Sequence, residues 1–95
     1  MRLGGATARD PEIVVDAKGT ILAAWDEVEG DDRSIFARTS TDGGRNWSRG
    51  QRVSAEKISA THPRAIADPA GEGFILFWTQ MGEAGKPVLA VKAVP

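Results

Sequence analysis

Few side chains of this sequence have both the type and the spacing that a metal-binding or catalytic site requires. The acidic run "DEVEGDD", residues 26–32, has five carboxylates in seven positions and could bind calcium through oxygen ligands. It lacks the alternate-position spacing of an EF-hand loop, so a solvated hairpin tip is the stronger interpretation. His62 has no second histidine or cysteine with which to share a metal, and we interpret it as a turn residue.

Composition narrows the classes of function. The 95 residues suffice for one small domain, and 12 Lys and Arg against 13 Asp and Glu give a net charge of -1, which argues against a nucleic-acid partner. The glycines form neither a P-loop nor a dinucleotide fingerprint, so no cofactor and no metal is predicted. The longest apolar run is Phe74–Trp78, and no signal peptide is evident. We therefore expect a soluble chain without membrane contact, whose compartment the sequence does not reveal.

The stretch "STDGGRNW", residues 40–47, is the most distinctive local pattern. The Asp42 carboxylate can accept hydrogen bonds from nearby backbone N–H groups, while Gly43 and Gly44 can take positive φ angles. The Trp47 ring can then fold back over the apolar side of a hairpin that begins at Ser40. This pattern predicts a self-satisfied turn, and a structural role for Asp42 is favoured over a catalytic one.

Glycines and prolines punctuate short apolar runs, which is typical of an all-β protein. The predicted strands are Glu12–Val15, Thr20–Glu27, Ser34–Ser40, Gln51–Ser54, Arg64–Ala67, Phe74–Gln80 and Pro87–Ala93. The first half also repeats in the second: "PEIVVDAKG-TILAAW" is echoed by "PRAIADPAGEGFILFW", which pairs Trp25 with Trp78, and "SIFARTS" is echoed by "PVLAVKA", which pairs Ile35 with Val88.

A repeat of this length indicates one unit of about four strands, as in a propeller blade. The runs "ILAAW" and "FILFW" are apolar at consecutive positions, so each strand needs cover on both faces. Stacked blades would provide that cover, with Trp25 and Trp78 as the largest contributors.

The motif S-x-D-x-G-x-x-W and its flanking strands carry a family resemblance. "STDGGRNW" resembles the Asp box of the bacterial neuraminidase repeat, although Asn46 stands where the usual box has threonine. The surrounding sequence is similar to one blade of the sialidase-like β-propellers. The resemblance implies two four-stranded antiparallel blades of a propeller of the six-bladed type: residues 10–54 form a blade with the Asp box, and residues 61–95 form an incomplete second blade. Residues 1–9 would be a linker and a residual outer strand, Met1–Leu3, of a preceding blade, as if a ring were opened between third and fourth strands.

The resemblance also implies where a ligand would bind. In sialidases the active site lies at the end away from the Asp boxes. The ligand-binding candidates at that end are Arg9, Asp10, Asp26, His62, Arg64 and Gln80, with Glu27, Asp31, Asp32 and Arg33 in the same connections. A sialidase site needs three arginines, an aspartate acid/base and a tyrosine nucleophile, and this sequence has no tyrosine. For Arg9 and Arg64 a surface salt bridge is the competing interpretation, and no catalytic residue is assigned.

Three functions remain open on these grounds. The chain could be a fragment or binding segment of a larger glycoside-hydrolase-like or carbohydrate-binding propeller. It could be an exo-α-sialidase-type enzyme whose site other blades or subunits complete. It could also form a homotrimeric six-bladed sugar-binding module. The expected partners are therefore other propeller blades, in cis or in trans, and a carbohydrate.

Overall fold

Two antiparallel sheets make up the part of the chain that the structure describes. The computed structural model covers residues 2–95, where it has no α-helix and one short 3₁₀ turn, Glu83–Gly85. Sheet 1 has four strands in chain order: β1 (Arg9–Val15), β2 (Ile21–Glu29), β3 (Asp32–Ser40) and β4 (Gln51–Arg52). Sheet 2 has three: β5 (Ala60–Ala67), β6 (Phe74–Met81) and β7 (Pro87–Val94). The all-β antiparallel prediction is confirmed, and among these residues neither sheet closes on itself.

Strands β1 and β5 begin earlier than the sequence predicts. Each was expected to start after a proline, at Glu12 and Arg64, but they start at Arg9 and Ala60 and continue through the proline. The reason is a β-bulge in each strand, where the ladder needs no N–H from the proline. The bulges extend both strands toward the end of the sheets that lies away from the Asp box.

The two sheets pack face to face around one hydrophobic core. The inner face of sheet 1 contributes even-numbered residues of β2 and odd-numbered residues of β3, and the inner face of sheet 2 contributes even-numbered residues of β6 and β7. The core residues are Leu22, Ala24, Ile35, Ala37, Val53, Ala60, Ala65, Phe74, Leu76, Trp78 and Val94. Burying such side chains provides most of the favourable free energy of folding in a chain of this size.

The two repeat units stack head to tail, so that a face that points toward the core in one sheet points away from it in the other. Trp25 is equivalent to Trp78, but Trp78 lies on the inner face of sheet 2 whereas Trp25 lies on the outer face of sheet 1. Conversely, Ala24 lies on the inner face of sheet 1, whereas its equivalent, Phe77, lies on the outer face of sheet 2. The outer face of sheet 2 is therefore the counterpart of the inner face of sheet 1, which already packs against protein.

The register of β7 corrects one predicted equivalence. Ala24 pairs with Ala37 in sheet 1, and Phe77 pairs with Val91 in sheet 2. Val91 is thus the counterpart of Ala37, and Leu89, not Val88, is the counterpart of Ile35. The one-residue difference arises because the β6–β7 connection is longer than the tight β2–β3 turn. It matters because one residue moves a side chain to the opposite face of a strand.

The segment before β1 covers part of the outer face of sheet 1. A Cβ on Gly4 would lie 2.9 Å from Trp25 Nε1, and the Trp25 ring stacks on Phe36 with centroids 6.4 Å apart. Strand β2 is consequently buried on both faces from Leu22 to Trp25, as the sequence predicts, whereas β6 is buried mainly on its inner face. Met1 lies outside the described residues and Leu3 belongs to no strand of this chain, so an outer strand at Met1–Leu3 stays a prediction.

Two turns at equivalent places allow a matched test of packing. Gly19 in the β1–β2 turn and Gly73 in the β5–β6 turn both have positive φ, 85° and 94°. A Cβ on Gly19 would meet nothing within 4 Å, whereas one on Gly73 would lie 2.7 Å from the Val94 carbonyl oxygen. The two glycines share the conformational requirement and differ in the space around them.

We expect Gly19→Ala to lower the free energy of unfolding by about 1–2 kcal/mol, because alanine is strained at positive φ. Gly73→Ala should lose roughly 1–3 kcal/mol more, because the methyl group also displaces the end of β7. Urea unfolding followed by tryptophan fluorescence measures both. Equal losses for the two variants would contradict the close approach of Gly73 to Val94.

Candidate functional site

The two β-bulges create an unusual backbone conformation at equivalent positions. In β1 the ladder passes from Arg9 opposite Asp26 to Glu12 opposite Ala24, so two residues, Asp10 and Pro11, face one. Strand β5 repeats this with His62 and Pro63. Bulges of this kind re-aim side chains and are common beside functional sites.

Asp10 and His62 both adopt a left-handed conformation, with φ of 54° and 58°. Such backbone conformations are costly for residues other than glycine and persist only where the surrounding structure imposes them. The two residues lie side by side across the junction of the sheets, with His62 Nε2 3.9 Å from Asp10 Oδ2. Face-to-face packing thus brings together two residues that are 52 positions apart in the sequence.

A cleft of about 190 Å³ opens between the bulges. Its lining consists of the same three positions from each unit: Asp10, Pro11, Glu12, His62, Pro63 and Arg64. The acidic side chains come from β1 and the basic ones from β5. The cleft therefore presents separated hydrogen-bond acceptors and donors to any ligand that enters it.

Asp26 forms the base of this arrangement. It is fully buried, and its Oδ1 accepts a hydrogen bond from Arg33 Nε at 2.6 Å. Its Oδ2 accepts one from the backbone N–H of His62 at 2.9 Å, which ties sheet 1 to the bulge of sheet 2. A buried carboxylate is stable only when its charge and lone pairs are satisfied in this way. Asp26 was predicted to lie in a solvated tip, and this was wrong because Arg33, across the β2–β3 ladder, neutralises it.

Asp10 is the exposed acid beside that buried carboxylate. A hydrogen bond with Asp26 raises the pKa of the Asp10 carboxyl, since the protonated form can donate to the neighbouring carboxylate. Partial desolvation and the negative charge of Asp26 also raise the pKa, while His62 and Arg33 oppose the shift. The structure therefore places a carboxyl with a raised pKa at the edge of the cleft.

Arg64 and Glu12 form the second pair across the cleft. Arg64 Nη1 lies 3.8 Å from Glu12 Oε2, and the Arg64 side chain is 79% exposed. The Glu12 Oε1 accepts a hydrogen bond from the backbone N–H of Ala65 at 3.3 Å, so this carboxylate is held toward sheet 2. The guanidinium of Arg64 thus keeps a face open to solvent. Glu12 was not among the predicted site residues, because its position inside a strand gave no signal of its contact with β5.

The other predicted site residues lie away from the cleft lining. Arg9 stands at the exposed start of β1, opposite Asp26. Gln80 accepts a hydrogen bond from Trp78 Nε1 at 3.0 Å, and Glu27 does the same for Trp25 Nε1 at the equivalent position. Gln80 and Glu27 therefore orient the tryptophans. Asp31 and Asp32 belong to the β2–β3 hairpin end, and no group of three or more His, Asp or Glu side chains among the described residues is placed to hold a metal ion.

The turn at residues 40–47 occupies the opposite end of sheet 1, beside the start of β2. Asp42 accepts hydrogen bonds from the backbone N–H and the side-chain amide of Asn46, at 2.9 and 2.8 Å, and from Ser40 Oγ at 2.8 Å. Gly43 and Gly44 have φ of 75° and 92°, and Trp47 Nε1 donates back to the Gly44 carbonyl at 3.0 Å. These donors lower the pKa of Asp42 to about 2, the Asn46 backbone contact first among them.

Comparisons with known proteins give no further identification. Neither a scan against protein-family models nor a search of curated proteins found a match to this chain. Within residues 2–95, no helix has the length and apolar character needed to cross a membrane. The cleft and the two sheets that form it are therefore the basis for a functional proposal.

Asp42 should make the stability of the protein depend on acid pH. Because its folded pKa lies below the ordinary value of 3.8, its contribution is fully present above about pH 4 and is lost as the pH falls toward 2. The stability advantage of wild type over Asp42→Asn, measured by urea unfolding, should therefore shrink from pH 5 to pH 2. An advantage that is constant over this interval would show that Asp42 is not held by these hydrogen bonds.

Asp10 should change the pH dependence of stability in the opposite direction to Asp42. Its raised folded pKa means that it favours folding below the ordinary value of 3.8, and that this contribution is lost as the pH rises through the folded pKa. Asp10→Asn supplies a neutral donor to Asp26 and also tolerates the left-handed backbone. We expect this variant to be more stable than wild type at pH 7 and to lose that advantage below about pH 4, again by urea unfolding. A variant less stable than wild type at pH 7 would contradict the proton-sharing contact with Asp26.

Proposed function

We propose that this chain supplies two units of a sialidase-like Asp-box β-propeller, and that its cleft binds a carboxylated sugar. The observation that carries the proposal is the convergence of the two equivalent bulges on one cleft, at the end of the sheets opposite the Asp-box turn. The family resemblance implies a ligand site at that same end. The cleft follows from the packing of the two sheets, whereas the resemblance follows from residues 40–47, so the two observations are independent of each other.

The head-to-tail relation of the sheets supports the blade arrangement. In a self-contained sandwich the equivalent faces of two repeats would both point inward, toward a shared core. Here equivalent faces point in the same direction along the stack, as they do in successive blades around an axis. Sheet 1 has four strands and sheet 2 has three, so each is close to one blade.

Arg64 is the residue best suited to recognise a carboxylate. Its planar guanidinium can donate two parallel hydrogen bonds to a carboxylate, and its ion-pair contact with Glu12 is long at 3.8 Å. His62 lies beside it on β5, and the Asp10 and Glu12 oxygens can accept hydrogen bonds from sugar hydroxyls. The lining thus combines one group for the negative charge of the ligand with several for its hydroxyls.

The size of the cleft indicates that other blades take part in binding. At about 190 Å³ it is smaller than the roughly 300–1,000 Å³ of typical ligand pockets. It can hold the carboxylate and an adjoining part of a sugar ring, while the remainder of the ligand would contact further blades, in cis or in trans.

An exo-α-sialidase-type glycoside hydrolase is the second candidate, and the raised pKa of Asp10 favours it. A carboxyl with a raised pKa is better suited than an ordinary one to act as a general acid toward a glycosidic oxygen. The nucleophile would have to come from another blade or subunit, because the chain has no tyrosine. Release of the fluorophore from a fluorogenic sialoside, abolished in Arg64→Ala, would establish this activity in place of simple binding.

Isothermal titration calorimetry with N-acetylneuraminic acid tests the binding proposal. Arg64→Ala should weaken binding by about 10-fold or more, since it removes charge-assisted hydrogen bonds. Arg45→Ala makes the same charge change in the exposed Asp-box turn at the other end and should leave binding unchanged. The methyl ester of the sugar, which lacks the negative charge, should bind the wild type as weakly as the free acid binds Arg64→Ala. Equal affinity of wild type for acid and ester would contradict a carboxylate site at Arg64.

A further inference from the structure

Among the described residues, the outer faces of both sheets expose large apolar side chains to solvent. The outer face of sheet 2 presents Ile66, Phe77, Leu89 and Val91, and Leu89 is 70% exposed. The outer face of sheet 1 presents Ile13, which is 67% exposed, and Val15 at the end of β1. Contiguous exposed apolar side chains on a small domain usually mark an interaction surface.

An apolar groove continues the second surface. It measures about 260 Å³ and lies between the segment before β1 and the outer face of sheet 1. Its lining includes Leu3, Ala8, Ile13, Ala23 and Trp25. Ala23 and Trp25 are the repeat counterparts of Leu76 and Trp78, which are buried in the core.

The repeat makes these two surfaces complementary to each other. Ile35 and Ala37 on the inner face of sheet 1 correspond to Leu89 and Val91 on the outer face of sheet 2. Likewise, buried Ala65 on the inner side of β5 corresponds to exposed Ile13 on β1. If the outer face of sheet 1 docks on the outer face of sheet 2, the repeat positions that meet are therefore the same as those that meet between the two inner faces within the chain.

Charge complementarity between β1 and β5 favours a second copy of this chain as the docking partner. Within one chain, the carboxyl groups of Asp10 and Glu12 on β1 face the imidazole of His62 and the guanidinium of Arg64 on β5. If the outer face of sheet 2 receives sheet 1 of another copy, Arg64 meets a pair of acidic residues again. Acidic and basic positions then alternate from junction to junction, an arrangement that like-charged units could not provide.

We propose that a second copy of this chain docks head to tail, with the outer face of its sheet 1 on the outer face of sheet 2. The interface is heterologous, so it repeats from copy to copy until a ring closes. Three copies would give six units, which lies within the roughly four to eight blades of closed propellers. The inference rests on the proposed blade arrangement but not on sugar binding, and the experiment below measures mass rather than affinity.

Sedimentation equilibrium of the full chain provides the first test. A ring of three copies has about three times the chain mass of 10.1 kDa. A mass of one chain at concentrations up to millimolar would overturn the proposal, and it would do so whether or not the protein binds N-acetylneuraminic acid. If calorimetry fails but the mass is a multiple of the chain mass, the docking stands and the ligand assignment fails.

Surface variants test the orientation of docking. Leu89→Lys and Ile13→Lys each place a charge in one of the two faces, and both side chains are mostly exposed in the single chain, so the fold should survive. Each variant alone should be reduced about threefold in mass, to one chain. Val88→Lys adds the same charge to the other face of β7 and serves as the matched control, which should keep the assembled mass.

A mixture of the two variants gives the decisive result. The Ile13→Lys chain keeps an intact sheet 2 face and the Leu89→Lys chain keeps an intact sheet 1 face, so an equal mixture should form a complex of two chains and no larger. A mixture that stays at the mass of one chain would overturn head-to-tail docking. Loss of assembly by Leu89→Lys but not by Ile13→Lys would also overturn it, since it would indicate that two sheet 2 faces pack on each other. Val91→Lys and Val15→Lys replace the first pair if circular dichroism shows that either variant is unfolded.

Discussion

Three carboxylates, two in sheet 1 and one in its β1–β2 turn, accept hydrogen bonds from backbone N–H groups of β5 and of the β5–β6 turn, and they help to fix the spacing of the two sheets. Asp26 bonds to His62 at 2.9 Å, Glu12 to Ala65 at 3.3 Å and Asp16 to Gly73 at 3.2 Å. The N–H groups of His62 and Ala65 belong to β5, which is at the edge of its sheet, and that of Gly73 belongs to the β5–β6 turn, so all three need acceptors once water is excluded. Side chains from the neighbouring sheet meet this need at three heights along the junction. Packing and hydrogen bonding therefore specify the same alignment.

The cleft follows from this alignment. Because the sheets are equivalent units held in register, the bulge of β1 and the bulge of β5 come to the same level and their strained residues, Asp10 and His62, become neighbours. Neither unit contains the cleft by itself. The geometry also explains the mixed charge of the lining, since each unit contributes a different sign at the same repeat position.

Much of the fold could be predicted from the sequence because it depends on local patterns. The turn residues between apolar runs predicted the seven strands of the described residues, and "STDGGRNW" predicted the positive φ angles of Gly43 and Gly44. The predicted strand starts at Glu12 and Arg64 were wrong, since a proline signals the end of regular pairing unless a bulge accommodates it. The strands begin at Arg9 and Ala60. The counterpart of Ile35 was also wrong, because register depends on the length of the β6–β7 connection rather than on similarity of residues.

The site was predictable only in part. Asp10, His62 and Arg64 were expected at the end away from the Asp box, and they line the cleft. The burial of Asp26 and the part played by Glu12 were missed, because both depend on contacts between sheets that no spacing in the sequence reveals. Long-range pairing of this kind enters only with the tertiary structure.

Equivalent faces of the repeat stack head to tail within the chain, and the proposed docking continues this stacking between copies. An isotope-filtered nuclear Overhauser experiment on a mixture of labelled and unlabelled chains tests it most directly, because it detects only contacts between copies. The account predicts contacts from the methyl groups of Leu89 and Val91 in one copy to those of Ile13 and Val15 in another. Contacts that join Leu89 and Val91 only to the same residues of the other copy, or no contacts between copies, would contradict it.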